Sequence, residues 1–473
     1  MNQDQVRTVV LLGILSLLSL IPIAVTLRRA RAHRDWDLTA TMVFLAGVLA
    51  NIPTSAYVVR EGRPERLDPL GEVVIGFPSW VNRIGVATNG VLLLLCAVFV
   101  VHQVLSSRAA LHFAPLLAMA LATLFAVSDG LHAQQFLAPR QVVLLAVLLA
   151  AAVARPGRSA FLGAAAVVLL FSVLGGVEAL VEPVSVLREC RADNPCGLLG
   201  IHYAGTFTNE NILSLFLTLG IPFVWLGLRG RARVFLAFYL AVLAVATGST
   251  LAAVTAVATM TLLVLLRPAL PDGTVGSSAR SSSPGQVLMV APILAGTAVL
   301  GFALPFLHSS IGDFGDRAVI WDMARGELGH SPFTGFGGNA WSGKYRFGEI
   351  PAALSPSLHN QWIDVQYAGG LAGLVLFVLL LAHLLLKGRT AAFPVAACVL
   401  FPVLLTSVLE RPWSFGISNA LSFSLVAALL IPGTARRATA AAAPVSGSSP
   451  VGAPARTPRR SLAATAADRS DRR

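Results

Sequence analysis

The sequence predicts an all-α fold, a polytopic transmembrane bundle of about 12–13 helices with one large extracytoplasmic loop that contains short helices. Three observations predict it. Hydrophobic residues make up 55% of the 473 and charged residues only 12%, with a mean hydropathy of +0.74, far from the composition of a soluble domain. The apolar residues fall in runs of roughly 20, the length a helix needs to cross a hydrocarbon core. Basic residues cluster in the short connections between those runs.

That clustering decides how the net charge of +12 is read. A nucleic-acid surface gathers Lys and Arg on one folded face, whereas cytoplasmic membrane loops carry them in short groups. No nucleic-acid partner is expected; membrane lipids are.

The first run, 6–27, is followed by Arg28, Arg29, Arg31 and Arg34. A cleavable signal peptide carries its charge before the apolar stretch, so this run reads as a retained anchor with its N-terminus outside. The positive-inside rule then assigns the connections at Arg108, 155–158, 229–233, 267–280 and 387–389 to the cytoplasm. Further runs lie near 38–59, 84–105, 112–128, 140–154, 159–181, 211–228, 233–247, 251–266, 287–306, 361–386, 391–408 and 415–432. With the first this gives an odd number, which puts the C-terminus inside. The outer connections are then 60–80, 129–139, 181–211, the turn at Thr250, 308–358 and 410–413.

Two domains are expected. Residues 1–432 form the bundle, including the loop 308–358. Residues 433–473, rich in Ala, Ser, Pro and Arg, cannot bury a core and form a disordered basic cytoplasmic tail. The stretch 272–286 is a flexible link of the same kind.

Of the four cysteines, Cys96 and Cys398 sit inside apolar runs and read as packing residues. Cys190 and Cys196 bracket Arg-Ala-Asp-Asn-Pro in an outer connection, where oxidation is permitted, and are expected to form a disulfide. A metal site is not expected, because only His202 stands nearby to extend the ligand set. The chain has no P-loop, dinucleotide fingerprint or HExxH.

The most polar long interruption runs from His308 to Ser357, about fifty residues. It carries Trp321, Phe333, Phe336, Trp341 and Tyr345, which argues for a folded, functional loop. Within it, Asp316 N-caps a helix over 317–328 with Gly329 as its stop, and Val319, Ile320 and Met323 give it an apolar face. Arg317 then sits beside the free N–H groups of the first turn, an arrangement that suits phosphate and equally suits an interfacial helix touching lipid headgroups. His359 begins the next run at the membrane edge. It can take a proton from a hydroxyl, or it can serve as a hydrogen-bonded structural residue. Glu178, at the end of another run, reads as a rim residue at headgroup level or as a functional carboxylate.

Arg317 and Trp321, then Ser331-Pro332-Phe333-Thr334-Gly335-Phe336-Gly337, then His359-Asn360, follow one another in order. Gly205-Thr206-Phe207-Thr208-Asn209-Glu210-Asn211 and Thr247-Gly248-Ser249-Thr250 precede them. Together these pieces resemble the O-antigen ligase and O-antigen polymerase family, bacterial polytopic membrane glycosyltransferases. The resemblance covers roughly residues 200–373. It implies a metal-independent transfer, with no cofactor, of a glycan from a polyprenyl-pyrophosphate donor to a glycan, lipid or protein acceptor at the outer face. It also implies His359 as base, Arg317 as phosphate contact, and Asn360, Trp321, Arg325, Asn209, Asn211 and Thr250 as substrate-binding residues. The family commonly has an arginine where this chain has Thr250, which leaves Arg188, Arg191, Arg325 or Arg346 to supply that charge.

Two other function classes fit the composition. A transporter or flippase would show repeats or broken helices near mid-membrane. A non-catalytic envelope-assembly scaffold would tolerate loss of His359.

Overall fold

A computed structural model describes residues 3–63, 77–106, 111–132, 135–155, 157–190, 196–268, 270, 284–307, 314, 316–351, 354, 357–387 and 393–431. The expected tail 433–473, most of the link 272–286, and Arg191 and His308 lie outside the described residues.

The described residues are 76% helix, in 15 helices with one two-stranded ribbon. Apolar runs fold this way because a backbone in hydrocarbon must satisfy its own polar groups, and a helix does so within one segment. In chain order the helices are α1 (Gln3–Ala32), α2 (Leu38–Glu61), α3 (Ser79–Leu105), α4 (Phe113–Leu131), α5 (Pro139–Val153) and α6 (Arg158–Val181). The ribbon pairs β1 (Leu187–Arg188) with β2 (His202–Tyr203), antiparallel. Then come α7 (Glu210–Gly227), α8 (Ala232–Ala246), α9 (Thr250–Leu266) and α10 (Pro284–Ala303). The polar segment supplies α11 (Asp316–Leu328) and α12 (Ala340–Arg346), and α13 (Gln361–Lys387), α14 (Phe393–Thr406) and α15 (Ser422–Leu429) follow.

Eight of these helices are long and apolar enough to cross a membrane: α1, α2, α3, α4, α6, α7, the stretch Gly285–Phe306 and α13. They mark the chain as a membrane protein. The apolar helices α5, α8, α9 and α14 are shorter. Helix α7 forms the centre, with every residue but Asn211 and Ile212 buried, and packs on α6, α8 and α9. On the rim, Leu11, Ile21, Val86, Leu94 and Leu288 are each about two-thirds exposed or more. Apolar side chains exposed in such number are accounted for by contact with lipid tails.

Two expectations are corrected. The run 415–432 is not a spanning helix; only Ser422–Leu429 is helical, and all of it is buried. The residues before it are tied elsewhere, because Trp413 N–H donates to Gln361 Oε1 and Ser418 N–H to the Arg140 carbonyl, so the chain turns across the ends of α13 and α5. Helix α13 is not continuous either. It breaks at Gly370, whose φ of 59° and ψ of −157° only glycine adopts readily.

The polar segment 308–358 has a core of its own. Ile320, Trp321, Ala324, Trp341, Tyr345, Ile350 and Leu358 pack with Ile363 and Tyr367 from the start of α13 and with Val408. Its Pro332–Gly337 turn docks into the break in α13. Phe336 N–H donates to Tyr367 O, Gly337 N–H to Ala368 O, Leu371 N–H to Pro332 O and Ala372 N–H to Phe333 O. At Gly337 (φ 100°) a side chain would overlap the Asp129 carboxylate of α4. That carboxylate accepts from the Asn339 backbone at 3.0 Å and from its side chain at 3.0 Å. The turn is therefore glycine-rich because two helices close on it.

Candidate functional site

The site is assembled from three chain segments. Helix α11 buries Ala318, Ile320, Trp321 and Ala324 and leaves Arg317 on its flank, about a third exposed. Trp321 Nε1 donates to the Leu358 carbonyl at 2.8 Å, which fixes α11 against the residue preceding His359.

The His-Asn pair divides its work. Asn360 is fully buried; its Oδ1 caps α13 by accepting from Trp362 N–H at 2.9 Å and Ile363 N–H at 3.0 Å. Its Nδ2 donates to Gly301 O and Val408 O, each at 2.8 Å. One amide thus pins the end of α10, the start of α13 and the segment after α14. His359 takes a left-handed backbone, φ 47°. For a residue with a Cβ this costs about 1 kcal/mol or more and persists only where the surroundings dictate it. Here the flanking anchors, Leu358 and Asn360, dictate it.

The third segment follows α14. Glu410 N–H donates to Thr406 O at 2.8 Å, which turns its side chain back over the other two. Oε1 of Glu410 meets Arg317 Nη2 at 2.8 Å and Oε2 meets His359 Nδ1 at 2.9 Å, while Arg317 Nε donates to Leu409 O at 3.3 Å. Burial alone would raise the Glu410 carboxyl above the usual carboxylate range, but His359 and Arg317 outweigh it and hold the group below that range. An ionised carboxylate only accepts hydrogen bonds, so His359 Nδ1 is the donor in this contact, and in a neutral ring Nε2 is the nitrogen with the lone pair. Beside them Arg411 Nη1 meets Asp364 Oδ1 at 2.8 Å.

Behind this trio, the Tyr367 hydroxyl donates to Glu327 Oε2 at 2.6 Å, and Glu327 pairs with Lys344 at 2.6 Å. Glu327 lies on α11, Lys344 on α12 and Tyr367 on α13.

The other sequence-predicted residues separate into structural roles and a second location. Trp321 is 1% exposed and Asn360 0%, so both hold the site together and neither presents a surface to a substrate. Arg325 pairs with Asp322 one turn back, at 2.8 Å. Asn209 caps α7 through Ile212 N–H at 2.8 Å, with Asn211 in the first turn that follows. Thr250 is the exposed first residue of α9, and the cap is Ser249.

These last residues gather near the ribbon. Cys190 and Cys196 are disulfide-bonded, with Cα atoms 5.1 Å apart. Arg188 pairs with Glu210 at 3.2 Å, and His202 Nδ1 lies 3.3 Å from the Thr247 carbonyl, joining the cysteine loop to the turn before Thr250. Of the arginines that could supply the charge missing at Thr250, Arg188 is the one on this ribbon. Glu178 accepts from Ser185 Oγ at 3.0 Å, as a partnered rim residue. Among the described residues no group of three or more His, Cys, Asp or Glu is placed to hold a metal ion.

Glu410 joins the candidate site without having been singled out by sequence. Its signal was present: an ionisable residue four positions beyond the last turn of an apolar helix, the same kind of evidence weighed for Glu178.

Fold and site together define a helical membrane protein with a carboxylate-oriented histidine and an arginine set in a folded polar segment. Set against known protein families, the sequence matches no family model, and no curated protein matches it.

Proposed function

We propose that the protein is a membrane glycosyltransferase of the O-antigen ligase and polymerase kind. It moves a glycan from a polyprenyl-pyrophosphate donor to an acceptor hydroxyl at the outer face of the bacterial cytoplasmic membrane. The observation that carries this reading is the trio His359–Glu410–Arg317, with spacings of 2.9 and 2.8 Å. His359 Nε2 takes the acceptor's proton as the oxygen attacks the sugar carbon. The bond from that carbon to the pyrophosphate oxygen breaks, and its electron pair leaves with the lipid pyrophosphate. Direct attack inverts the carbon. Glu410 stabilises the imidazolium that forms, and Arg317 is the cation assigned to the leaving phosphate.

The remaining chain supports the same reading. Eight long and four shorter apolar helices are enough for a bundle of this kind, and on this reading the segment 308–358 is its large outer loop. Arg317 is not a lone cation, since Glu410 opposes its charge, so its contribution to a dianionic leaving group is directional hydrogen bonding as much as net charge.

The break in α13 at Gly370 favours a second reading, a transporter or flippase of envelope glycolipids, because discontinuous helices there coordinate substrate with freed backbone groups. Four hydrogen bonds from the 332–337 turn occupy this break, which supports the enzyme instead.

The test is transfer from a defined polyprenyl-pyrophosphate glycan in membranes that contain the protein or its His359→Gln variant. A loss of roughly 10²–10⁴ in rate with donor binding kept is the expected result. Retained transfer removes the base role, and lipid translocation without any transfer selects the flippase.

A further inference from the structure

The end of α1 and its turn into α2 border an open surface cavity of about 550 Å³ lined by Leu27, Ala30, Arg31, Arg34 and Trp36. Its wall is of two kinds, aliphatic and indole on one side, guanidinium on the other. The carboxylates nearest in sequence are spoken for elsewhere. Asp35 is held by Arg229 through two hydrogen bonds of 2.5 and 2.9 Å, and Asp37 caps α2 at Thr39 and Ala40. Arg29 is turned away too, its guanidinium packed against Gly230. Among the described residues no carboxylate pairs with Arg31 or Arg34, so the cavity carries two uncompensated positive charges. Trp36 is held at its edge by an Nε1 hydrogen bond to Thr41 Oγ1 at 3.0 Å and an edge contact with Phe44 at 5.8 Å.

The cavity continues a hydrocarbon-facing surface. Leu17, Leu20 and Leu27 lie on the same face of α1 as Arg31 and Arg34 and are 42%, 44% and 40% exposed, so an apolar strip runs along the helix into the mouth of the charged pocket. A tryptophan at that level is the residue type membranes favour at their boundary.

We propose that this cavity binds one anionic glycerophospholipid. Arg31 and Arg34 hold its phosphate by charge-assisted hydrogen bonds, Trp36 covers the glycerol region, and an acyl chain lies on Leu20 and Leu17. The apolar strip is what selects a lipid over free phosphate. This inference is independent of the transfer reaction.

The experiment is native mass spectrometry of the full chain in detergent, titrated with phosphatidylglycerol or with phosphatidylcholine. Retention of one phosphatidylglycerol in preference to phosphatidylcholine is expected. Arg31→Gln/Arg34→Gln should weaken it about 25-fold, roughly fivefold per arginine. Arg31→Lys/Arg34→Lys should fall between, and Arg7→Gln, at the other end of α1, should change nothing. Equal retention of the two lipids, full retention by the Gln pair, or displacement by inorganic phosphate at the lipid's own concentration would each overturn the proposal. Should the Gln pair fail to accumulate, a photoactivatable phosphatidylglycerol on the unsubstituted protein decides the matter: its label must fall within residues 17–36.

Discussion

Glu410 Oε2 stands 2.9 Å from His359 Nδ1, and the two residues lie 51 positions apart in sequence. The carboxylate comes from beyond α14 and the imidazole from the start of α13, so the pair exists only when the polar segment and both helices are in place. A glutamate enclosed at this level is tolerable because both its oxygens are engaged by charged or chargeable partners.

Removing that carboxylate tests the arrangement. Glu410→Gln keeps the shape, leaves Arg317 without its counter-charge and releases the tautomer of His359. A stability loss of about 1–3 kcal/mol is expected from the stranded partner, tempered because Arg317 is partly exposed. Transfer should fall by roughly 10²-fold or more while the variant stays folded.

The same pair sets an acid limit. The folded-state pKa of Glu410 is depressed, so its stabilising contribution is full above the ordinary glutamate value of about 4.3 and is lost as pH falls through the folded value. Melting temperature should therefore drop on acidification below about pH 4 more steeply in the native protein than in Glu410→Gln. Parallel curves for the two would remove Glu410 from the acid response.

Gly370→Ala tests the break in α13. The added methyl would overlap the Phe333 carbonyl, and the backbone angles are ones alanine avoids. A loss of about 1–3 kcal/mol is expected for the conformation, and more if the 332–337 turn is expelled. Limited proteolysis of that turn should quicken along with the fall in melting temperature; an unchanged digestion pattern would show that the turn docks without the break.

How much of this was legible beforehand depends on the distance over which each signal acts. Helix ends were read within a few residues for most runs, since hydropathy is a local property. Helix α11 was also legible, with Asp316 at its start and Leu328 at its end. The short α15 was not, because the ties holding residues 410–421 run to Gln361 and Arg140, which no local pattern reveals. The break at Gly370 was hidden in a Gly-Gly pair that periodicity treats as tolerated. At the site, His359 and Arg317 stood out by their neighbours, whereas Asn360 and Trp321 looked like ligand contacts and proved to be buried anchors. Glu410 is paired across chain ends, so its role waited on the fold.

The Cys190–Cys196 bond closes a loop with a sequence separation of 6. A short loop removes little chain entropy, and the double serine variant should lose only about 2 kcal/mol. Its functional effect should be local: Arg188 and the contact of His202 with Thr247 lie on the flanking ribbon, so donor binding should weaken before transfer at saturating donor does. A fall in saturated rate with unchanged donor affinity would place the disulfide's influence at His359 instead.

Arg317 has two tasks that substitutions can separate. It holds Glu410 at 2.8 Å and reaches the Leu409 carbonyl at 3.3 Å, and in the proposed reaction it also faces the departing phosphate. A lysine can keep the ion pair with Glu410, but it offers a point charge where the planar guanidinium binds carboxylate, carbonyl and phosphate together. Arg317→Lys should therefore melt near the native protein yet lose transfer, while Arg317→Ala should lose both. The expected loss in rate for alanine is about 10²–10³, that of a charge-assisted contact made in the transition state. If lysine restores transfer as fully as it restores melting temperature, Arg317 serves only to position Glu410 and His359. The phosphate contact then passes to Arg411, which stands one residue beyond Glu410 and is held 2.8 Å from Asp364.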